Sequence, residues 1–275
     1  MIRKVSITII GNKDLLYELY DHVKQYIYKP EAKKCEYTGR GNLHVILDNE
    51  YSGYHYLMEM SEKFQLHPHI AQWVRYTKAE EESAKFYVMG ISTPLELEGT
   101  KASDYGTQYS GGCPHCGLGG EPVSDVLVDR KFMKKYKIGT LYPDIYVSEE
   151  IKELIELNNL TGVSFDHVVK DYKGREMSRF LTLDIHHVLP PMRDSVWLIK
   201  DKYPDRRYDA CGHSVVYLRS DIQYEKEKLD EAQDFNLTSE YVDNFRLRQI
   251  IVSARVRKLF KQNKVYSAFF PVAIL

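Results

Sequence analysis

Residues 4–10 alternate apolar and polar positions as a half-buried strand does, and Gly11-Asn12 ends the run. Leu15, Leu16, Leu19, Tyr20, Val23, Tyr26 and Ile27 then recur at helical spacing as far as Pro30. The apolar run Leu43-His-Val-Ile-Leu47 predicts a second strand. Leu57, Met60, Ser61 and Phe64 predict a second helix face, which stops at Leu66-His67-Pro68, and strand-like runs follow at 70–77 and 85–91. Residues 1–95 thus read as a small N-terminal β-α-β-α-β-β module. Residues 96–112 change composition, with Gly99, Asp104, Gly106, Ser110, Gly111 and Gly112, and read as a linker.

Beyond that point the hydrophobic pattern occurs twice. Residues 144–169 and 249–274 match without a gap at an offset of 105, pairing Ile145/Ile250, Val147/Val252, Ser148/Ser253, Ile151/Val256, Leu154/Leu259, Ile155/Phe260, Asn158/Asn263 and Phe165/Phe270. Each stretch predicts a strand ending at a serine whose hydroxyl caps the next helix, then a helix burying positions i, i+3 and i+4, then an apolar strand. The expected fold is mixed α/β (α+β): the N-terminal module, then a tandem-repeat domain over 113–275, with one repeat at about 113–169 and the other at about 208–274.

Composition adds limits. The chain has 275 residues, 43% hydrophobic and 28% charged, which excludes disorder throughout. Lys+Arg number 38 against 39 Asp+Glu, so no global charge points to nucleic acid or an anionic membrane. That balance hides a contrast: Glu149, Glu150, Glu153 and Glu156 outweigh Lys152 in the first repeat helix, whereas Arg255, Arg257, Lys258, Lys261 and Lys264 dominate the second. The acidic helix is the surface expected to meet a partner. The N-terminal apolar stretch is too short for a signal peptide, and no run approaches the ~20 apolar residues of a transmembrane helix. A soluble, cytoplasmic protein is expected, in which paired cysteines bind metal or do redox chemistry rather than form structural disulfides.

Of the four cysteines, two form Cys113-Pro-His-Cys116-Gly117. A redox dithiol needs a helix N-terminus to lower the first thiol's pKa, and the following Gly-Leu-Gly-Gly-Glu-Pro122 cannot be a helix. The motif therefore reads as a zinc knuckle, in which two thiolates grip one tetrahedral ion. A structural zinc needs a second pair of ligands. Tyr208-Asp-Ala-Cys211-Gly212-His213 offers the Cys-Gly of a second knuckle, with Tyr208 where its first cysteine would fall. The expected zinc ligands are Cys113, Cys116, Cys211 and His213, with His115 and Asp209 as alternatives for the fourth. Cys35 reads as an ordinary free thiol.

Two Cys-Gly knuckles, each ahead of a Val-Ser, helix and apolar strand, resemble the double-CXXCG motif family of bacterial immunity proteins. The resemblance rests on Cys113-Pro-His-Cys-Gly117, Cys211-Gly212, Ile145-Tyr-Val-Ser148, Ile251-Val-Ser253 and Phe270-Pro-Val272, and covers about residues 110–275. It implies a non-enzymatic protein that binds a cognate polymorphic or contact-dependent toxin and neutralises it by steric occlusion. No Walker loop, dinucleotide fingerprint, Gly-x-Ser-x-Gly elbow or His-Glu-x-x-His helix occurs, so no catalytic residues are assigned; an enzyme would be of unfamiliar type. The rival reading is nucleic-acid binding through Arg130, Lys131, Lys134, Lys135 and Lys137 and the basic helix, which would be strongly salt-dependent. Asp184 and His186 would share one face of a strand, and read as a half-exposed polar strand end.

Overall fold

Helices and strands both run through the chain, in a computed structural model that describes residues 2–27, 34–38, 41–48, 52–66, 68–91, 102–112, 120–133, 137–141, 144–193, 198–200, 215–218, 221–242 and 247–275. The protein is of the mixed α/β class. It divides into two units: residues 1–83 with 218–221, and residues 84–217 with 222–275.

The first unit holds β1 (Ile2–Ile10), α1 (Lys13–Ile27), β2 (Lys34–Thr38), β3 (Asn42–Asp48), α2 (Ser52–Lys63), β4 (Pro68–Arg75) and α3 (Lys78–Ser83). Its strands form one antiparallel sheet in the order β2-β3-β1-β4. Alternation along β1 places Val5, Ile7 and Ile9 opposite Leu47, Val45 and Leu43. All six are fully buried beneath Leu16, Leu19 and Val23 of α1 and Leu57 of α2. Asn12 starts α1: its Oδ1 accepts from Asp14 N–H and its carbonyl from Leu16 N–H. The sequence did not point to β2, because Lys34-Cys-Glu-Tyr-Thr38 is an edge strand without an apolar run.

The second unit begins with β5 (Phe86–Gly90), followed by a 3₁₀ turn at Ala102–Tyr105, β6 (Tyr109–Gly111), β7 (Gly120–Pro122) and β8 (Val126–Val128). Next come α4 (Arg130–Met133), β9 (Ile138–Leu141), β10 (Asp144–Ser148), α5 (Glu149–Leu157), β11 (Val163–Ser164), β12 (Val168–Asp171), β13 (Phe180–Thr182) and β14 (Asp184–Ile185). The remainder is β15 (Leu198–Lys200), β16 (Val215–Leu218), β17 (Gln223–Tyr224), β18 (Phe235–Val242), β19 (Leu247–Ser253), α6 (Ala254–Gln262), β20 (Ala268–Pro271) and β21 (Ala273–Ile274). The larger sheets run β8-β12-β13-β10-β9 and β15-β16-β18-β19-β5-β20.

Two expectations change here. The strand at 85–91 forms, but it does not close the N-terminal module. It is inserted between β19 and β20, with Val88 opposite Ile251 on one side and Phe270 on the other. Part of the expected linker is also core, since Ala102 is fully buried with Val126, Val128, Tyr146 and Phe180. The reason is local: Thr107 Oγ1 accepts from Leu127 N–H and so draws the segment onto β8.

The two larger sheets contain elements built alike. Val147 lies between Ile138 and Leu181, and Val252 lies between Phe235 and Tyr87. Ser148 N–H donates to Lys137 O at 2.8 Å, and Ser253 N–H to Asp234 O at 3.0 Å. At the helix ends, Asn158 and Asn263 each donate from Nδ2 to the carbonyl four residues back, at 2.8 and 2.9 Å. The next residue in each case, Asn159 or Lys264, takes positive φ. β8 pairs in parallel with β12 (Leu127 opposite Lys170), as β17 does with β21 (Gln223 opposite Ala273). One core joins the two sets, with Ile151 and Ile155 of α5 packed among Val256 and Phe260 of α6.

The correspondence shifts one expected pair. Ser164 faces Asp184 in the first set and Ala268 faces Gly90 in the second, so Phe165 corresponds to Phe269 rather than Phe270. Phe165 and Phe269 both pack on the shared core, whereas Phe270 is 60% exposed. The connection after α6 is one residue shorter, which a gap-free offset cannot register. The expected serine caps also differ: Ser253 Oγ accepts from Val256 N–H at 3.4 Å, but the Ser148 side chain makes no cap bond.

Candidate functional site

The Cys113–Cys116 motif belongs to the connection of an antiparallel hairpin. β6 and β7 pair Tyr109 with Pro122, Ser110 with Glu121 and Gly111 with Gly120. Gly111 and Gly112 have φ of 67° and 75°, a region that a Cβ disfavours, so this Gly-Gly is required to leave the strand. Cys113, His115 and Cys116 lie outside the described residues, as do Tyr208, Asp209, Cys211 and His213. Among the described residues no group of three or more His, Cys, Asp or Glu could hold a metal ion.

The base of the hairpin is described and is tied down at several points. Val123 N–H donates to Gln108 O at 2.9 Å, and Gln108 N–H to Ser124 Oγ at 3.1 Å. Between them, the Tyr109 hydroxyl donates a hydrogen bond to Asp144 Oδ2 at the start of β10. Tyr146 faces Thr182 across β10 and β13, and the same register carried two residues further sets Asp144 opposite Asp184. Asp184 in turn faces Ser164 on β11. A row Asp144–Asp184–Ser164 therefore crosses the sheet edge beneath the hairpin.

Other polar groups border the row. Thr182 Oγ1 donates to Asp184 Oδ2 at 2.7 Å and accepts from His167 N–H at 3.1 Å. Ser164 Oγ donates to Asp166 Oδ2 at 2.5 Å and lies 2.7 Å from His186 Nε2. Burial pushes the Asp144 carboxyl up to about 6; the Tyr109 bond opposes this, Asp184 reinforces it, and His167 opposes it. Asp184 is raised by burial and by Asp166, against the Thr182 bond. Tyr109 is raised by burial and by its bond to Asp144.

Elsewhere in this unit, buried carboxylates have arginine partners. Asp171 takes a two-pronged contact from Arg175, Nε and Nη2, each at 2.7 Å, and Arg175 also reaches Asp129 at 3.0 Å. That arginine is the main cause holding the Asp171 carboxyl well below the usual carboxylate range. Asp234 accepts from Ser253 Oγ at 2.6 Å and from Arg255 at 2.9 Å. Among the described residues no ion pair reaches Asp144, Asp166 or Asp184. At the matching place in the second set the row is Gln249, Gly90 and Ala268, with no ionisable group.

The α5 acids are less free than their sequence suggests. Glu150 pairs with Lys137 at 2.5 Å, Glu149 with Arg179 at 3.0 Å and Lys152 at 3.4 Å, and Glu156 with Lys152 at 3.5 Å. Glu153 is exposed, and Leu157 beyond it is 81% exposed. A cleft of about 310 Å³ opens beside the end of the helix, lined by Lys152, Ile155, Glu156, Leu160, Val163, Ser164 and Phe165. The basic helix is also partly engaged. Arg255 bonds Asp234 and Asn158 O, and the Arg257 guanidinium lies 4.6 Å from the Tyr87 ring centroid.

No protein-family model matches the chain, and no curated protein matches it in sequence. The molecule's own geometry is thus the guide. Tyr109, Asp144 and Asp234 carry no sequence signal of a site, because each is a single residue in a polar or turn-like stretch beside a short strand. Asp184 and His186 stand out as a shared strand face, but Ser164, which faces Asp184 and bonds His186, comes from 20 or more residues earlier in the chain.

Proposed function

We propose that the chain is a non-enzymatic immunity protein that binds a cognate bacterial toxin and blocks it by steric occlusion. The second unit is, on this reading, a duplicated platform whose two halves are stapled by a structural zinc. The observation that carries it is a coincidence of spacing. β8 and β17, each paired in parallel with a strand that follows its repeat helix, begin at Val126 and Gln223, 97 residues apart, and Cys211 follows Cys116 by 95. Each Cys-Gly pair therefore precedes an equivalent strand in the chain, as a duplicated knuckle would.

Cys113, Cys116, Cys211 and His213 would hold the ion, with two thiolates delivered by the β6–β7 connection. Paired strands on either side and a Gly-Gly exit suit the tight turn such a pair needs. Zinc would supply folding free energy and no chemistry. The toxin-binding surface is proposed to be the outer face of α5, where Glu153 and Leu157 are exposed and Lys152 and Glu156 of the same helix line the cleft. An apolar anchor inside a charged rim is how protein interfaces combine affinity with specificity.

The test is co-expression. The protein encoded beside this gene should kill cells when produced alone and spare them when this chain is present, and Leu157→Arg should abolish protection without lowering stability. Killing that this chain leaves unchanged would sink the reading. Tight, salt-sensitive retention of RNA or DNA on filters would replace it with a nucleic-acid role.

A further inference from the structure

We propose that β20 is a self-association edge, at which a second copy of this chain adds its own β20 antiparallel and joins the two six-stranded sheets. The inference goes beyond the toxin-binding reading and uses no part of the α5 surface.

β20 is the last strand of its sheet, with β5 on one side and, among the described residues, no strand on the other. An edge presents a row of N–H and C=O groups that recruits other strands, and native proteins commonly guard it with charged side chains. Here residues 265–275 contain no charged side chain. The outward positions are Tyr266 at 83% exposure, Ala268, also exposed, and Phe270 at 60%. The fold does not demand aromatic groups there. In the first set Asp166 lies two residues beyond Ser164, as Phe270 lies two beyond Ala268.

Backbone geometry and charge point to a second copy as the occupant. Val272 N–H donates to Phe86 O at 3.0 Å, so by alternation Phe270 and Ala268 also bond β5. The N–H and C=O groups of Ser267 and Phe269 therefore point to the open side, with the Pro271 carbonyl, and Pro271 has no N–H to offer there. A second β20 turned about a two-fold axis at Ala268 sets Ser267 against the other copy's Phe269, and Phe269 against its Ser267, which uses both N–H groups. Centring the axis on Phe269 instead would set Ser267 against Pro271 and forfeit a bond at each end. In the favoured register Tyr266 of each copy meets Phe270 of the other at a non-hydrogen-bonded position, where side chains stand closest. Two identical strands carry identical charges, so an uncharged strand suits pairing with its own copy. With an aromatic at each end and alanine at the centre, the strand is complementary to its own reverse, as an isologous contact requires.

Sedimentation of the full chain, without any partner, provides the test. It should show a monomer–dimer equilibrium with a dissociation constant on the order of 10 μM, as a small interface gives. Tyr266→Glu and Phe270→Lys, both at exposed positions, should each weaken the dimer roughly tenfold with an unchanged circular-dichroism spectrum. Combining them sets opposite charges against each other across the axis and should regain most of the loss. Ala268→Cys should give a disulfide-linked dimer on mild oxidation, above the wild-type background, because a non-hydrogen-bonded pair stands about 4.5 Å apart at Cα. Tyr266→Cys, which the axis sets away from its own copy, should not. A monomer at about 100 μM, or a dimer indifferent to these substitutions, overturns the proposal. Because no toxin is present, failure here and failure in co-expression are separate results.

Discussion

At the scale of single residues, position in the fold separates groups that look alike in the chain. Gly162 and Gly174 both adopt positive φ, at 94° and 70°. A Cβ on Gly162 would lie 2.2 Å from Phe235 O, whereas one on Gly174 would meet nothing within 4 Å. By urea denaturation Gly174→Ala should cost about 1 kcal/mol, the strain of its φ alone, and Gly162→Ala more than about 3 kcal/mol. Asp234 is a second such position. It is 5% exposed, it bonds Ser253 and Arg255, and it takes Thr161 N–H from the first set of elements at 3.1 Å. Asp234→Ala leaves these donors unmatched and should cost about 2–3 kcal/mol in the same measurement. The place matching Asp234 is Lys137, paired with Glu150, so the ion pair recurs with its charges exchanged.

At the scale of elements, α5 and α6 are amphipathic helices whose buried stripes meet in one core. Ile155 and Phe260 occupy matching places, at 1% and 0% exposure. Phe260→Ala should cost about 3–5 kcal/mol, against under ~0.5 kcal/mol for exposed Leu157→Ala, read from denaturation midpoints at constant slope. These stripes were legible from spacing alone, because period 3.6 is a local property of a helix. The role of β5 was not. Its burial alternates, with Tyr87 and Met89 inside, and nothing in five residues says which neighbours they will find. The Phe165–Phe269 match was hidden for a related reason, since a one-residue difference in loop length is invisible until the ladders are paired.

At the scale of the whole molecule, β5 makes the second unit depend on a segment that precedes its first Cys motif. A fragment of residues 84–275 should keep cooperative unfolding and a native circular-dichroism spectrum. One of residues 92–275 lacks the strand between β19 and β20 and should not fold. Zinc adds a second dependence if the proposed staple is right. Protein purified without added metal should then contain about one zinc per chain, and Cys211→Ser should lower the melting temperature far more than Cys35→Ser. Equal effects of the two substitutions, or none from a chelator, would remove the staple and leave the shared core and the Thr161–Asp234 and Arg255–Asn158 bonds to join the halves.

By itself the sequence determined the strands and helices with a clear period, β1, α1, β3, α2, β4 and β5, and the matching pair of strand–helix units. Those features depend on periodicity and turn chemistry, which act over a few residues. Tertiary structure alone decided that β5 completes the second sheet, that Asp144 meets Tyr109, and that the α5 glutamates are mostly spent on Lys137, Lys152 and Arg179. Each of these is a pairing between distant parts of the chain. Register and loop length set such pairings, and a shift of one residue in either would send every side chain involved to the other face.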